Sequence, residues 1–198
     1  VEEVRIIGVR RAIAERMERT LAIPHFSYVE EVDVTALESL RNYLNDRLPE
    51  GAAPYSYLPF IVAALARVLA RFPQCNAHYD ADRKLLLRHR SVHVGIATQT
   101  PDGLKVPVVR DAGNLSLATL GAEIRRVSEL ARSGRAQRSD LLGSTITVTS
   151  LGKLGGIAST PLLNTPEVAI IGVNRAVERP VVVQGVVVIR RMMNLSSS

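Results

Sequence analysis

Hydroxyl side chains near the end of one predicted strand are the residues whose types and spacing best suit chemistry. Within residues 143–156 they alternate with aliphatic side chains, in the order Thr145, Ile146, Thr147, Val148 and Thr149. This period-two pattern predicts a strand with one buried face. Three glycines lie at positions 152, 155 and 156, so the chain must turn after Ser150. Thr149 and Ser150 would then present hydroxyl donors at a rim, which suits hydrogen bonding to a developing oxyanion or a polar ligand.

The same pattern has a plainer interpretation. An edge strand of a sheet also alternates aliphatic with hydroxyl residues, and its threonine face is then simply hydrated. Residues 143–156 do not by themselves distinguish a site from such an edge strand, so both interpretations stay open at this point.

The histidines offer no site by their spacing. They are His25, His78, His89 and His93. None has the spacing of a zinc pair on a helix, and no cysteine or glutamate accompanies them in ligand order, so no metal site is predicted. His93 lies within a predicted strand, where we expect a hydrogen-bonded structural residue. A Ser-His-Asp triad could be assembled on paper, but sequence does not show proximity.

Length and composition indicate an ordinary globular protein. The 198 residues allow one sizeable domain or two small ones, with 46% hydrophobic and 22% charged residues. The longest apolar stretches, such as 58–66, are too short for a membrane span. The single Cys75 cannot form an internal disulfide, which favours a reducing compartment and a small buried side chain.

The charge balance favours an anionic partner. Lys plus Arg number 25 against 19 Asp plus Glu, a net charge of +6. Nucleic acid, a nucleotide-bearing cofactor and an acidic protein are all candidates. The basic residues are spread along the chain, with only three Phe, five Tyr and no Trp to stack on bases, so nucleic acid is the weaker interpretation.

Hydrophobic periodicity predicts alternating helices and strands. The predicted helices are 10–21, 35–48, 58–72 and one that runs from a cap at Asn114 or Ser116 to Gly134. The predicted strands are 25–33, 92–100, 104–109, 145–149, 168–173, 177–183 and 186–194. Thr35 and Glu38 have the spacing of a capping box, and Gln184-Gly185 is a hairpin turn signal. This order predicts an α/β fold, a sandwich with a mixed sheet and flanking helices.

A series of motifs spans essentially the whole chain. In order they are Gly8-Val-Arg-Arg-Ala-Ile-Ala-Glu-Arg-Met, Ile23-Pro-His-Phe, Glu31-Val-Asp-Val-Thr-Ala-Leu, Leu58-Pro-Phe, His93-Val-Gly-Ile-Ala, Asp102-Gly-Leu-Lys-Val-Pro-Val-Val, residues 143–156, Asn164-Thr-Pro-Glu-Val-Ala-Ile and Met192-Met-Asn-Leu-Ser. This series resembles the catalytic domain of the dihydrolipoamide acyltransferases, the core components of 2-oxo acid dehydrogenase complexes. The sequence around His25, Ser144 and Met193 is most similar to the bacterial branched-chain type.

The resemblance implies a fold, an assembly and a reaction. The fold would be chloramphenicol-acetyltransferase-like, and homotrimers would assemble into a larger, cubic core. Coenzyme A and a lipoyl group, carried on a separate domain, would enter a channel at each subunit interface from opposite ends. An acyl group would move from dihydrolipoamide sulfur to coenzyme A. Partners would include the dehydrogenase and dihydrolipoamide dehydrogenase subunits, with no nucleic acid and no membrane, in the bacterial cytoplasm or a mitochondrial matrix.

The resemblance also assigns site residues. Thr149 matches the position whose hydroxyl stabilises the tetrahedral oxyanion from the neighbouring subunit. The positions that match coenzyme A contacts are Arg41, Ser56, Gln99, Ser128, Ser150, Asn174 and Ala176. Gln99 and Ser128 carry different residue types from some relatives, and the contacts at Asn174 and Ala176 would be through the backbone. Without the resemblance, Arg41 could equally be a solvated helix residue.

One motif of the family has no match in these residues. The family's Asp-His-Arg-x-x-Asp-Gly motif, which supplies the general base and its supporting Asp, is expected directly after Ser198. We therefore expect residues 1–198 to be a single acyltransferase catalytic domain cut before this motif, and inactive by themselves. Lipoyl and peripheral-subunit-binding domains are expected before Val1. A non-catalytic scaffold core of the same fold is the alternative.

Overall fold

Three parallel strands lie at the centre of a mixed β-sheet in the computed structural model, which describes residues 1–3, 5–150, 152 and 155–198. The strands are β1 (Tyr28–Asp33), β2 (Ala77–Asp80), β3 (Leu85–Arg88), β4 (Val94–Thr100), β5 (Gly103–Lys105), β6 (Val108–Val109), β7 (Ile146–Ser150), β8 (Ile170–Val173), β9 (Val177–Val183) and β10 (Val186–Ser197). The α-helices are α1 (Gly8–Leu21), α2 (Thr35–Asn45), α3 (Leu58–Arg71) and α4 (Leu117–Arg132).

The sheet order places β7 in the interior. Strands β4, β7 and β8 run parallel, and the hydrogen-bonded order is β1-β10-β8-β7-β4-β5. Strand β6 also pairs with β4, β9 pairs with β10, and β2 and β3 form a separate two-stranded sheet. The predicted α/β fold with a mixed sheet and flanking helices is confirmed.

The main core lies between the central strands and two helices. Buried side chains from both layers form one cluster, which includes Val62, Leu69, Val94, Ile96, Leu120, Ile124, Val127, Ile146 and Val148. The aliphatic residues of β7 therefore face α3 and α4, and its threonines face the opposite side of the sheet. Burying each large aliphatic side chain stabilises the fold by about 1.5–3 kcal/mol relative to leaving it exposed.

Helix α4 has the ends that its sequence predicts. The hydroxyl of Ser116 accepts a 3.1 Å hydrogen bond from the backbone N–H of Thr119, which identifies Ser116 rather than Asn114 as the N-cap. Gly134 follows the last turn with φ +71°, a conformation in which a Cβ would be strained. Helix α3 also lies within one residue of its predicted bounds.

The predicted capping box of α2 is wrong. The backbone N–H of Thr35 donates to Oδ1 of Asp33 at 2.9 Å, and the Thr35 hydroxyl accepts the N–H of Arg191 at 2.8 Å. Thr35 thus ties α2 to β10 instead of capping its own helix. Glu38 turns to Arg41 instead, and α2 ends at Asn45 instead of continuing to residue 48.

Two strand predictions also change. Residues 104–109 form two short strands, β5 and β6, because Pro107 has no N–H to donate; its carbonyl accepts the N–H of Ile96 at 2.8 Å. The edge-strand interpretation of residues 145–149 is wrong, since β7 pairs on both sides and Thr145 and Thr147 are each 1% exposed.

The β9–β10 hairpin is confirmed. Gln184 and Gly185 both have positive φ, +51° and +81°, and Val183 lies opposite Val186, as in a two-residue turn. In the described part of the chain, no helix combines the length and the apolar character that crossing a bilayer requires.

Candidate functional site

The C-terminal ends of β4, β7 and β8 meet at one edge of the sheet. Thr149 lies opposite Ala97 of β4 and Gly172 of β8, and Ser150 lies opposite Val173. Four predicted site residues share this edge, which are Gln99, Thr149, Ser150 and Asn174. Such an edge is the usual place for ligand contacts in open parallel sheets.

The threonines of β7 have three different surroundings. Thr145 exchanges hydrogen bonds with the backbone of His93, donating to its carbonyl and accepting its N–H at 3.0 Å. Thr147 donates to Oε2 of Glu167 at 2.6 Å. Thr149 is half-buried, and its hydroxyl has no hydrogen-bond partner among the described residues. Of the three, only Thr149 has a hydroxyl available to a ligand.

Ser150 and Gln99 lie beside Thr149 at the same edge. The Ser150 hydroxyl accepts the N–H of Gly152 at 3.2 Å, at the start of the predicted turn. Gln99 is exposed on β4 and points to the same side of the sheet as Thr149, since it is two residues beyond Ala97.

The fold does not bring Ser128 to the face of the sheet that carries Thr149. It is 6% exposed on α4, and its Oγ is 3.4 Å from Oγ1 of Thr98, a residue on the helix-covered face of β4. The sheet therefore separates Ser128 from Thr149. Only the family resemblance groups Ser128 with Thr149, and it carries no information on which face of the sheet each residue occupies.

The side chain of Asn174 has a structural role. Its side-chain amide donates to the Asn194 carbonyl and to the Ser196 hydroxyl, both at 2.9 Å, and its backbone N–H also donates to Asn194. These bonds tie the end of β8 to β10. Ala176 is half-buried and packs against the core cluster.

Arg41 and Ser56 form a second group, on α2 and on the loop before α3. Glu38 accepts hydrogen bonds from Nε and Nη2 of Arg41 at 2.9 and 3.0 Å. The hydrogen bond from Arg41 is the main cause that holds the pKa of Glu38 below its usual value. Ser56 is exposed. Arg41 is thus an ion-paired residue and not the solvated one that was the alternative.

The side chains of the four histidines make contacts within the fold. His25 accepts the N–H of Leu163 through Nε2, and His93 accepts the N–H of Asp111 through Nδ1, both at 3.0 Å. His78 bonds the Ser144 carbonyl at 2.7 Å, and its ring packs edge-on against His89 with centroids 4.3 Å apart. The prediction of a structural His93 is confirmed. In the parts of the chain that the structure describes, no cluster of His, Cys, Asp or Glu could hold a metal.

Residue types and spacing did not single out Glu167, whose buried carboxylate lies against the threonine face of β7. Glu167 is 3% exposed and accepts hydrogen bonds from Ser144, Thr147 and Asn164. Burial raises the pKa of this carboxyl even though all three donors and His78 act to lower it. The run Asn164-Thr-Pro-Glu was visible in the sequence, but only the fold shows that it lies against β7.

A cleft among the described residues lies at the other end of the sheet. It has a volume of about 680 Å³ between the end of α3 and the chain before β4, and Arg67, Arg88 and Arg90 contribute to its wall. None of the predicted site residues lines it. The predicted residues therefore lie outside this cleft.

A family model described as 2-oxoacid dehydrogenases acyltransferase (catalytic domain) matches residues 1–198. The chain belongs to this family. The lipoamide acyltransferase component of the branched-chain alpha-keto acid dehydrogenase complex from Pseudomonas putida is 56% identical over 198 residues, which is 100% of this chain and 47% of that protein. The chain spans about half the length of these curated relatives.

Solved structures agree with this membership. The cubic core of a pyruvate dehydrogenase multienzyme complex superimposes with a TM-score of 0.94 at 35% identity, over 100% of this chain and 82% of that one. A chloramphenicol acetyltransferase superimposes with a TM-score of 0.56 at 13% identity, over 99% of this chain and 88% of that one. The predicted chloramphenicol-acetyltransferase-like fold of this acyltransferase-family chain is confirmed.

Proposed function

We propose that this chain is the catalytic core of a lipoamide acyltransferase, which moves a branched-chain acyl group from dihydrolipoamide to coenzyme A within a 2-oxo acid dehydrogenase complex. The observation that carries the proposal is the match of all 198 residues to the acyltransferase catalytic domain. The hydroxyl of Thr149 supports it, since it has no hydrogen-bond partner among the described residues. The 56% identity to a branched-chain lipoamide acyltransferase component supports it as well.

The proposed reaction is a thioester exchange. The coenzyme A thiol loses its proton to a general base, and the sulfur attacks the thioester carbonyl to form a C–S bond and a tetrahedral oxyanion. Thr149 donates a hydrogen bond to that oxyanion. Collapse breaks the bond to the dihydrolipoamide sulfur, which takes up the proton. A thiol with a pKa of about 8.5 needs only modest help to ionise near neutral pH.

We infer that none of the four histidines is the general base. Hydrogen bonds hold the rings of His25, His78 and His93 at other places in the fold, and His89 packs against His78. Residues 1–198 would therefore bind ligands without turnover, and catalysis would require a base from outside this set. Retention of binding with no turnover in the full-length gene product would instead favour a scaffold of the same fold.

The coenzyme A positions are proposed in two groups. Gln99, Ser150 and the backbone of Asn174 and Ala176 would line the reacting end, next to the catalytic hydroxyl of Thr149. Arg41 and Ser56 would contact the more distant, anionic end of the coenzyme, where a cation is favourable. Ser128 would contribute only where the ligand passes the end of the sheet.

A homotrimer that assembles further is part of the proposal. The β9–β10 hairpin exposes aliphatic side chains near its tip, with Val182, Val186, Val187 and Ile189 between 62% and 72% exposed. Exposed apolar groups of this kind are typical of subunit interfaces. The 35% identical solved relative is a cubic core. A lipoyl domain would approach the Thr149 edge from outside this core.

The test uses the full-length gene product with coenzyme A and a series of S-acyl dihydrolipoamides. We expect transfer to coenzyme A, with a higher kcat/KM for isobutyryl and isovaleryl donors than for acetyl. Equal or better use of acetyl would overturn the branched-chain assignment alone. Absence of transfer with every donor, in a protein that binds coenzyme A, would overturn the enzyme and leave the scaffold.

A further inference from the structure

One face of α2 holds the loop that carries Ser56. Glu38, Arg41 and Asn45 recur at the three- and four-residue spacing that puts side chains on one helix face. Asn45 accepts the Tyr55 N–H through Oδ1 at 2.7 Å and donates to the Tyr55 carbonyl through Nδ2 at 3.2 Å. Arg41 donates to the same carbonyl from Nη1 at 3.2 Å. The backbone before Ser56 is therefore fixed by three hydrogen bonds.

The residue after Ser56 is held by the same helix. The hydroxyl of Tyr57 donates to Oε2 of Glu38 at 2.7 Å, and its ring centroid lies 5.2 Å from the Arg41 guanidinium carbon. Burial, followed by this hydrogen bond, raises the pKa of Tyr57. Ser56 lies between these two anchors, exposed, and its own hydroxyl has no partner in the described part of the chain.

The donors of Arg41 are nearly all used within the protein. A guanidinium has about five N–H donors. Two go to Glu38, one to the Tyr55 carbonyl and one to Oδ1 of Asn42 at 3.0 Å. Among the described residues this leaves one N–H, on Nη1. Arg41 cannot therefore grip a phosphate with two parallel hydrogen bonds unless it gives up Glu38.

We propose that Glu38 and Asn45 are positioning residues for coenzyme A, and that Arg41 acts chiefly by holding the Ser56 loop rather than as a phosphate fork. This inference rests on the proposed function, since it concerns the proposed coenzyme A end of the site. It explains why an arginine at a coenzyme A position carries a bidentate carboxylate partner from its own helix.

The first test compares Asn45→Ala and Glu38→Gln with Asp46→Asn, which removes an exposed carboxylate from the end of the same helix. Coenzyme A binding is measured by calorimetry, and kcat and KM are measured on the full-length gene product. We expect the Kd and the KM for coenzyme A to rise about tenfold in the first two variants, since each loses one or two hydrogen bonds. The kcat and the KM for the acyl donor stay unchanged, as does every parameter of the control.

Asn45→Asp supplies the rescue. It keeps the acceptor for the Tyr55 N–H and should recover part of the affinity that Asn45→Ala loses. A merely structural role would lower the melting temperature and kcat together and leave the KM for coenzyme A unchanged, which would overturn the inference.

The second test separates loop positioning from phosphate recognition. Arg41→Ala is titrated with coenzyme A and with its 3′-dephospho form. We expect both affinities to fall by the same factor, and we expect the same of Asn45→Ala. Selective loss for the 3′-phosphorylated form would make Arg41 a direct phosphate contact and overturn the inference. Failure of the wild type to bind coenzyme A would overturn the proposed function itself, whereas wild-type binding with unchanged Glu38 and Asn45 variants would overturn only the positioning role.

Discussion

Thr147 donates a 2.6 Å hydrogen bond to the buried carboxylate of Glu167, twenty residues further along the chain. Ser144 and Asn164 donate to the same carboxylate. These hydrogen bonds attach the chain before β8 to the threonine face of β7. They therefore fix the part of that face that adjoins Thr149.

The Glu167 carboxyl predicts a pH-dependent stability. Its pKa in the folded protein is raised above the value in the unfolded chain, which is about 4.3. At pH values between the unfolded and the folded pKa, the folded state binds more protons than the unfolded state. The stabilisation that the protonated Glu167 carboxyl gives is therefore complete below the unfolded pKa and is lost as pH rises through the folded pKa. Urea unfolding across this range should show wild-type stability falling relative to Glu167→Gln. Glu129→Gln, at an exposed position, is the control, and a constant difference between wild type and Glu167→Gln would contradict the assignment.

Replacing the two neighbouring threonines should separate catalysis from stability. Thr149→Val should lower kcat of the full-length gene product by about 10²–10³ with an unchanged Kd for coenzyme A, because it removes an oxyanion donor. Thr147→Val should instead lower the unfolding free energy by about 1–3 kcal/mol, because Glu167 loses a buried hydrogen bond. Steady-state kinetics and urea titrations measure both. An unchanged kcat in Thr149→Val would remove this residue from the mechanism.

Gly95 should not tolerate a side chain. A Cβ on this β4 residue would lie 2.6 Å from Cγ1 of Val106 and 2.8 Å from the Thr147 hydroxyl. Gly95→Ala should therefore lower the unfolding free energy by about 1–3 kcal/mol. Gly113→Ala is the matched control, since its Cβ would meet only Ala66 at 3.8 Å. Equal melting temperatures for the two variants would show that the strands can move apart.

The β9–β10 turn offers a stabilising change. Gln184 has φ +51°, a left-handed conformation that asparagine adopts more readily. Gln184→Asn should raise the unfolding free energy by a few tenths of a kcal/mol, and Gly185→Ala should lower it by about 1 kcal/mol. Thermal unfolding measures both. A loss of stability in Gln184→Asn would show that the glutamine side chain makes a contact that outweighs its backbone preference.

Local signals in the sequence were sufficient for several elements. Ser116 and Gly134 bound α4 because a cap and a left-handed glycine act on the few residues next to them. The turn at Gln184-Gly185 follows from its own backbone preferences. The Thr35–Glu38 spacing failed because both side chains have partners that are distant in sequence or stronger, the N–H of Arg191 for Thr35 and the guanidinium of Arg41 for Glu38.

The sequence by itself determined the α/β class, the strand that carries Thr149 and, through its motif order, the family. Tertiary structure alone decided which of the three threonine hydroxyls of this segment, those of Thr145, Thr147 and Thr149, is available to a ligand. A period-two pattern shows which side chains share a face, but not what covers that face. Thr147 is hydrogen-bonded to Glu167, and Thr145 to the backbone of His93. These partners are distant in sequence and meet β7 only when the sheet assembles. Thr149 lies two residues beyond Thr147, past these partners and near the C-terminal end of β7.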